Sequence, residues 1–314
     1  MTQAPEFSRR RLLGVAAALP LAAPALGLGA RPALAKAAML GAAQPAYQRF
    51  SLGSFEVTTL LAATRPVESP HQIFGLNASA EDFEAVSRAA FLPTDVAQFF
   101  FTPTVVNTGA ELVLFDTGTD PAGLVAALAQ AGYQPGDVDI VVITHMHPDH
   151  IGGMVTDGAA TFANARYVTG AVEHNFWSGA GNALFDTNMR PFAERTTFLD
   201  DGGTITGGIT AMAAFGHTPG HMAVMLESDG KGLVLAADTA NHYIWSLAHP
   251  DWEVRFDADK AAAAATRHRL LGMIAADRLP FVGYHMPFPG LGFIEAAGAG
   301  FRYVPASYQM MLAG

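Results

Sequence analysis

The chain has 314 residues, half of them hydrophobic and 15% charged, with a formal net charge of −10. That balance excludes the basic face a nucleic-acid partner would require. There is no cysteine, so disulfides, thiolate ligands and thiol nucleophiles are excluded as well.

The first residues read as a targeting segment. Ser8-Arg9-Arg10-Arg11-Leu12-Leu13 fits the twin-arginine (Tat) export pattern of a polar residue, two arginines, any residue and two apolar ones. An Ala/Leu-rich run follows to Leu28, and Ala33-Leu34-Ala35 offers a small-residue cleavage site. Pro20 and Pro24 interrupt the run, which is short for the roughly 20 residues of a membrane span. The expectation is a removed leader over residues 1–35, no stable membrane anchor, and a periplasmic or secreted protein exported in folded form. The leader carries four Arg and one Glu, so the mature chain would stand at −13.

Residues 36–48 read as an arm leading into a catalytic domain that runs from 36 to 314. Phe50 to Leu61 predicts a hairpin turning at Gly53-Ser54. Thr64 to Asp95 reads as irregular apart from a helix over Ala80–Ala90 with Ser79 as its N-cap. Phe99–Asn107 and Glu111–Phe115 are expected to form a strand pair, followed by a helix over Pro121–Gly132 closed by glycine. Asp139-Ile140-Val141-Val142-Ile143 is a near-continuous apolar run, as expected of a strand buried on both faces.

The second half repeats the rhythm. Strands are expected at Arg166–Val168, Ile209–Phe215, Ala223–Leu226, Leu233–Ala236 and Phe281–Gly283, with helices near Ala171–Ser178 and Asp257–Ala275. This alternation predicts one α/β domain of two similar halves, sheets inside and helices outside.

Chemistry concentrates just past the Asp139–Ile143 strand, where His145, His147, Asp149 and His150 fall within six residues. Ligand sites of open α/β sheets lie at such C-terminal strand ends. Period-two spacing can bring His145 and His147 to one face, while Asp149 and His150 point elsewhere, toward a second ion. Imidazole and carboxylate suit zinc and related divalent metals. Gly152-Gly153 lets the chain turn tightly there and a helix start against the site. His221, Asp238 and His285 each follow a predicted strand. A lone His in such a place is ordinarily a core or surface residue, but here all the candidates occupy one edge of the sheet.

The pattern Thr144-His145-x-His147-x-Asp149-His150-x-Gly152-Gly153, then Gly216-His217-Thr218-Pro219-Gly220-His221, Asp238 and His285, resembles the metallo-β-lactamase superfamily. The likeness extends toward the methyl parathion hydrolase group through Phe288-Pro289-Gly290-Leu291-Gly292 and Gly300-Phe301-Arg302-Tyr303-Val304-Pro305. The resemblance implies an αββα sandwich, two mixed sheets flanked by helices, and two divalent ions, zinc first with iron, manganese or cobalt as alternatives. It makes His145, His147 and His221 ligands of one ion and Asp149, His150 and His285 ligands of the other, with Asp238 bridging. Asp116 would orient a ligand imidazole, and His217 would shape its turn. Trp177, His242 and Phe293 are the expected pocket residues; Phe293 stands where that group carries histidine.

The implied activity is hydrolysis of neutral, apolar esters, lactones or organophosphate triesters. The expected nucleophile is hydroxide held by the metal pair, with Asp149 and Asp238 as catalytic carboxylates. No Gly-x-Ser-x-Gly elbow competes with this route. The alternatives are a thioester hydrolase of the glyoxalase II kind, an iron sulfur-dioxygenase, and a metal-binding protein without turnover. A homodimer through the N-terminal arm is a further expectation.

Overall fold

The computed structural model describes residues 38–312; the expected leader over 1–35 and its cleavage site lie outside the described residues. In chain order the strands of the first half are β1 (Tyr47–Leu52), β2 (Phe55–Leu60), β3 (Ala63–Glu68), β4 (Val96–Phe101), β5 (Thr104–Asn107), β6 (Leu112–Phe115), β7 (Ile140–Ile143), β8 (Val155–Thr156), β9 (Ala159–Ala160), β10 (Arg166–Gly170) and β11 (Thr196–Leu199). The second half supplies β12 (Thr204–Thr206), β13 (Ile209–Ala213), β14 (Met222–Ser228), β15 (Lys231–Ala237), β16 (Phe281–Gly283), β17 (Leu291–Ala297) and β18 (Gly300–Pro305). The helices are α1 (Ala80–Ala89), α2 (Pro121–Gln130), α3 (Pro148–Ile151), α4 (Ala171–Gly179), α5 (Ala183–Asn188) and α6 (Lys260–Ala276).

Two seven-stranded sheets result, ordered β1-β2-β5-β6-β7-β10-β11 and β12-β13-β14-β15-β16-β17-β18. In the first, β6, β7, β10 and β11 run parallel. In the second, only β15 and β16 are parallel, and the chain between them supplies the crossover helix α6 that such a pair needs.

Period-two alternation explains how the sheets stack. Ile140 and Val142 of β7 point into the layer between the sheets, together with Val113, Val224, Leu233 and Leu235. Val141 and Ile143 point the other way, against Leu124 and Leu128 of α2. Val234 and Ala236 of β15 likewise face Leu270, Leu271 and Ile274 of α6. Both inner strands are thus apolar on both faces, and the αββα sandwich follows.

Local signals account for most boundaries. The Ser79 side chain accepts the Asp82 backbone N–H at 3.0 Å, the N-cap that starts α1. Asp120 and Asp259 do the same for α2 and α6. Three expectations are corrected. Phe99–Asn107 is two strands, because Pro103 has no N–H to continue a ladder; β4 leaves the main sheet and pairs with β3, while β5 pairs with β2 and β6. The segment after Thr64 is therefore partly a strand, masked in the sequence by Pro66 and by its exposed positions, as suits an edge. The hairpin β17–β18 was not foreseen as strands, because half of β17 is solvent-facing.

Among the described residues, no helix is long and apolar enough to cross a membrane.

Candidate metal centre

The functional side chains meet at one rim of the sandwich, on the loops that follow β7, β13, β15 and β16. Two of the strand ends are bent sharply. Asp116, just after β6, has φ 60°, and Ala237, which ends β15 and precedes Asp238, has φ 43°. Non-glycine residues in this left-handed region cost free energy and persist where surrounding packing enforces them. After β7 the chain stays extended through His147, which is the N-cap of α3. Pro148 opens that single turn, and the turn carries Asp149 and His150. The helix therefore lies within the motif, and Gly152 closes it rather than starting a new one. A Cβ on Gly153 would sit 2.1 Å from the Thr117 carbonyl oxygen, so only glycine lets this loop press against the neighbouring one.

Two lobes of donor atoms share one carboxylate. In the first, His147 Nδ1 lies 3.1 Å from His145 Nε2 and 3.0 Å from His217 Nε2. His217 Nε2 is in turn 3.3 Å from Asp238 Oδ2. In the second, His285 Nε2 is 3.2 Å from Asp149 Oδ2 and 3.2 Å from Asp238 Oδ2. His150 Nε2 lies 3.3 Å from Asp238 Oδ1 and 3.6 Å from Asp149 Oδ2.

Four of the five donor imidazoles have a polar partner at the far nitrogen. His150 Nδ1 donates to Asp116 Oδ2 at 2.8 Å, and Asp116 is itself held by the backbone N–H and hydroxyl of Thr144. His217 Nδ1 donates to Asp257 Oδ1 at 2.9 Å, and Arg267 binds the other Asp257 oxygen at 2.8 Å. His285 Nδ1 donates to the Phe100 carbonyl at 2.8 Å. Thr144 Oγ1 sits 3.1 Å from His145 Nδ1. Such partners fix the tautomer and turn the opposite nitrogen's lone pair inward.

The donor set fits a pair of cations. His150 Nε2 and Asp238 Oδ1 are buried with no hydrogen-bond partner, which would cost each roughly 1–3 kcal/mol if left so. Three imidazole nitrogens also converge in the first lobe, where His147 can donate only one proton. Cations satisfy both demands, and the donors form groups able to hold them: His145, His147 and His217; His145, His150 and Asp238; Asp149, His150 and His285.

The electrostatics agree. Burial pushes His145 and His147 down, His147 to about 3, with further repulsion from neighbouring imidazoles. Burial opposes charge on His217 and His285 too, but bonds to the carboxylates prevail and raise them to about 9 and about 10. Burial likewise opposes charge on Asp149, yet His150 and His285 hold it down to about 2. The carboxylates thus favour positive charge in both lobes.

A family model for the metallo-beta-lactamase superfamily matches residues 102–280, more than half of the chain. The chain belongs to this superfamily. An N-acyl homoserine lactonase of Bacillus cereus is 25% identical over 136 residues, covering 43% of this chain and 52% of that protein. An N-acyl homoserine lactonase AttM of Azorhizobium caulinodans is 31% identical over 136 residues, covering 38% and 49%. The chain spans about half the length of the curated relatives it matches. Among solved structures, AidC, a dizinc quorum-quenching lactonase in complex with a product, aligns with TM-score 0.76 at 24% identity over 84% of this chain and 98% of that one. Hydrolase AbOPH of the beta lactamase superfamily aligns with TM-score 0.78 at 23% identity, over 85% and 100%.

Within this superfamily scaffold, the structure gathers His145, His147, Asp149, His150, Asp238 and His285 as the sequence led one to expect, with Asp116 behind His150. Of the two remaining histidines, it sets His217 rather than His221 among the donor atoms. His221 Nδ1 donates to the Ala214 carbonyl at 2.9 Å, and its Nε2 accepts the Asp238 backbone N–H at 3.0 Å. With both ring nitrogens engaged, His221 is a brace for Asp238, and His217 takes the place among the donors.

The pocket expectations also change. The cavity over the donors has a volume of about 430 Å³ and is walled by Arg65, Phe99, Phe101, Thr119 and Phe256 as well as by the donors themselves. Trp177 is not among its walls. It meets the His147 ring edge-on at 6.1 Å and donates from Nε1 to Glu173. Phe293 lies mid-strand in β17 opposite Val304, away from the cavity. His242 caps the π-helical turn Tyr243–Ala248 and lines a neighbouring cavity instead.

Four supporting residues escaped the sequence reading. Asp257 lies in the loop just before α6 and Arg267 within that helix, distant from every motif. Glu173, fully buried, accepts from Met146 N, Trp177 Nε1, Thr218 Oγ1 and Gly220 N, tying the two histidine motifs together. Burial raises its pKa against those bonds. Tyr284 packs at a tilt against His150 with ring centroids 4.1 Å apart, and its hydroxyl donates to the Asp149 carbonyl. The only available signal was weak: a Glu in the apolar part of a short helix, and a Tyr beside His285.

Proposed function

We propose that this chain is a binuclear metal-dependent hydrolase that opens neutral, apolar lactones, with N-acyl homoserine lactones first among them. The observation that carries this reading is the doubled donor set sharing Asp238, with buried, unpartnered nitrogen and oxygen at its centre. The named activities of the partly overlapping relatives support the substrate class.

His145, His147 and His217 would hold one ion, Asp149, His150 and His285 the other, and Asp238 would serve both; zinc is the expected metal. Bound ions at such a centre supply Lewis-acid polarisation of the scissile carbonyl and activation of water at neutral pH. The chain does the rest. Asp149 is the donor carboxylate open to the cavity, with its side chain 22% exposed, and is placed to hold a proton and return it to the leaving alkoxide. Phe99, Phe101 and Phe256 take the hydrocarbon part of the substrate and exclude water from it. Arg65 offers the cavity a permanent hydrogen-bond donor for a substrate oxygen.

Organophosphate triesters are the second class to test, because the C-terminal hairpin resembles the methyl parathion hydrolase group. The deciding experiment is metal analysis of the purified protein with side-by-side turnover of N-hexanoyl homoserine lactone and a p-nitrophenyl phosphotriester. Two zinc ions per chain and preferred lactone opening, lost on chelation and restored by zinc or cobalt, are expected. One iron per chain without lactone turnover would overturn the reading in favour of the sulfur-dioxygenase alternative.

Export through the twin-arginine route to the periplasm is proposed as well, on the strength of Ser8–Leu13. Replacing Arg9 and Arg10 by Lys should strand the protein in the cytoplasm; unchanged export would remove the proposal.

A further inference from the structure

A second cavity, of about 330 Å³, adjoins the one over the donors, and the two share His285 as a wall. Strand β4 separates them by simple alternation. Phe99 and Phe101 face the donors, while Val96 and Phe100 face the other side. The lining of the second cavity differs in kind. It includes no Asp, Glu, Lys or Arg, whereas the first holds Arg65, Asp149 and Asp238. Leu92, Val96, Phe100, Trp245 and Pro287 make most of its walls apolar.

One polar group there is fixed. His242 Nδ1 accepts the backbone N–H groups of Ile244 and Trp245, each at 3.1 Å. An imidazole accepting at Nδ1 carries its proton on Nε2. Burial, which pushes the pKa of His242 down to about 3, keeps it in that neutral form. The ring is held flat on Trp245, centroids 4.0 Å apart and planes 14° apart. Nε2–H makes no hydrogen bond within the described residues, so the cavity contains a rigid donor among hydrocarbon walls.

We propose that this cavity is a second ligand site, for an uncharged, largely hydrocarbon molecule bearing one hydrogen-bond acceptor, a carbonyl above all, which would accept from His242. Apart from His285, whose Nε2 is turned to Asp149 and Asp238, the lining offers a charged ligand no partner. The site is also mechanically connected to the donors. Phe100 lines it through its side chain and, through its main-chain carbonyl, holds His285 Nδ1 at 2.8 Å. A ligand pressing on Phe100 therefore shifts or stiffens the carbonyl that aims His285. Occupancy should change turnover more than substrate binding at the other cavity.

The probe is 2-decanone, a neutral chain with one carbonyl. Titrating it into the full-length protein should give saturable quenching of tryptophan fluorescence, since Trp245 forms part of the wall. His242→Asn keeps a side-chain oxygen for the helix cap but withdraws the ring donor, and should weaken binding about tenfold or more, the size of one lost hydrogen bond. Val96→Phe fills the cavity from β4 and should abolish binding; it also covers the case in which the His242 variant does not fold. In turnover of a small lactone, 2-decanone should lower kcat with KM unchanged in the wild type and have no effect in Val96→Phe. This kinetic arm rests on the proposed hydrolase reading, whereas the binding arm does not, so failure of one is distinguishable from failure of the other. Quenching indifferent to both variants, or purely competitive inhibition, would overturn the second site.

Discussion

The two halves of the donor set are built in opposite ways. His145, His147, Asp149 and His150 come from one strand end and one helical turn, so local backbone geometry places all four. His217, Asp238 and His285 come from three separate loops, and each needs its own fastening: Asp257 with Arg267 for His217, the bent backbone at Ala237 for Asp238, and the Phe100 carbonyl for His285. The first half is a local motif; the second is a tertiary construction. Residues remote from the chemistry should therefore matter more to the second.

The largest effect tests whether the halves depend on one another. Asp238 is the carboxylate within reach of both lobes, so Asp238→Ala should reduce lactone opening to background and lower the bound metal from two ions per chain. His147→Ala should cost as much turnover while leaving the second lobe's donors in place, so one ion should remain. Elemental analysis beside initial rates decides it, and an Asp238→Ala protein with full metal content would break the idea of a shared carboxylate.

Next in size is the pair His217→Ala and His221→Ala, which sharpens the comparison within the second half. His217→Ala should remove a donor, with loss of an ion and of turnover. His221→Ala should keep metal content but lower thermal stability, because the Ala214 carbonyl and the Asp238 N–H are left unpaired in a buried site, at about 1–3 kcal/mol each. The reverse pattern would restore His221 as the ligand.

That pair also marks where the sequence stopped being readable. The first cluster was legible because four candidate ligands within six residues follow an apolar strand, and no core needs such a run. The sandwich was legible from β6, β7, β14 and β15, whose apolar runs reflect burial on both faces. Gly216–His221 offered two histidines four residues apart, and nothing local separates them. The choice is made by Asp257, 40 residues on, which binds one histidine and not the other. His242 and Phe293 were misplaced for a similar reason: their distance from a motif in sequence says nothing of which side of β4 or β17 they face. The hairpin of β3 and β4 stayed hidden because Pro66 and the exposed edge positions blur its alternation.

A smaller effect follows from the fastenings themselves. Asp257→Asn and Asp116→Asn each weaken an acceptor behind one donor imidazole, and loss of such support commonly costs about 10–100-fold in metal affinity. Asp257→Asn should weaken the ion beside His217 and Asp116→Asn the ion beside His150, resolved by titration in metal buffers. Asp257→Asn should also lower stability more, since Arg267, 1% exposed, loses its carboxylate partner. Equal weakening of both ions by either variant would contradict separate fastening.

The smallest expected change concerns Trp177, which touches His147 and bonds Glu173. Its indole N–H donates to Glu173 at 2.7 Å, and Glu173 in turn holds Met146 of the first motif and Thr218 and Gly220 of the second. Trp177→Phe removes one of four donors to that carboxylate and keeps an aromatic ring near His147. A single hydrogen bond to a charged group contributes about 1.5–3 kcal/mol at most, and the half-buried position should reduce that. Stability should fall by about 1 kcal/mol, with KM for every lactone unchanged, because the indole lies outside the cavity walls. A chain-length-dependent rise in KM would instead return Trp177 to the pocket and show that Glu173 is a hinge between the motifs rather than a fixed tie.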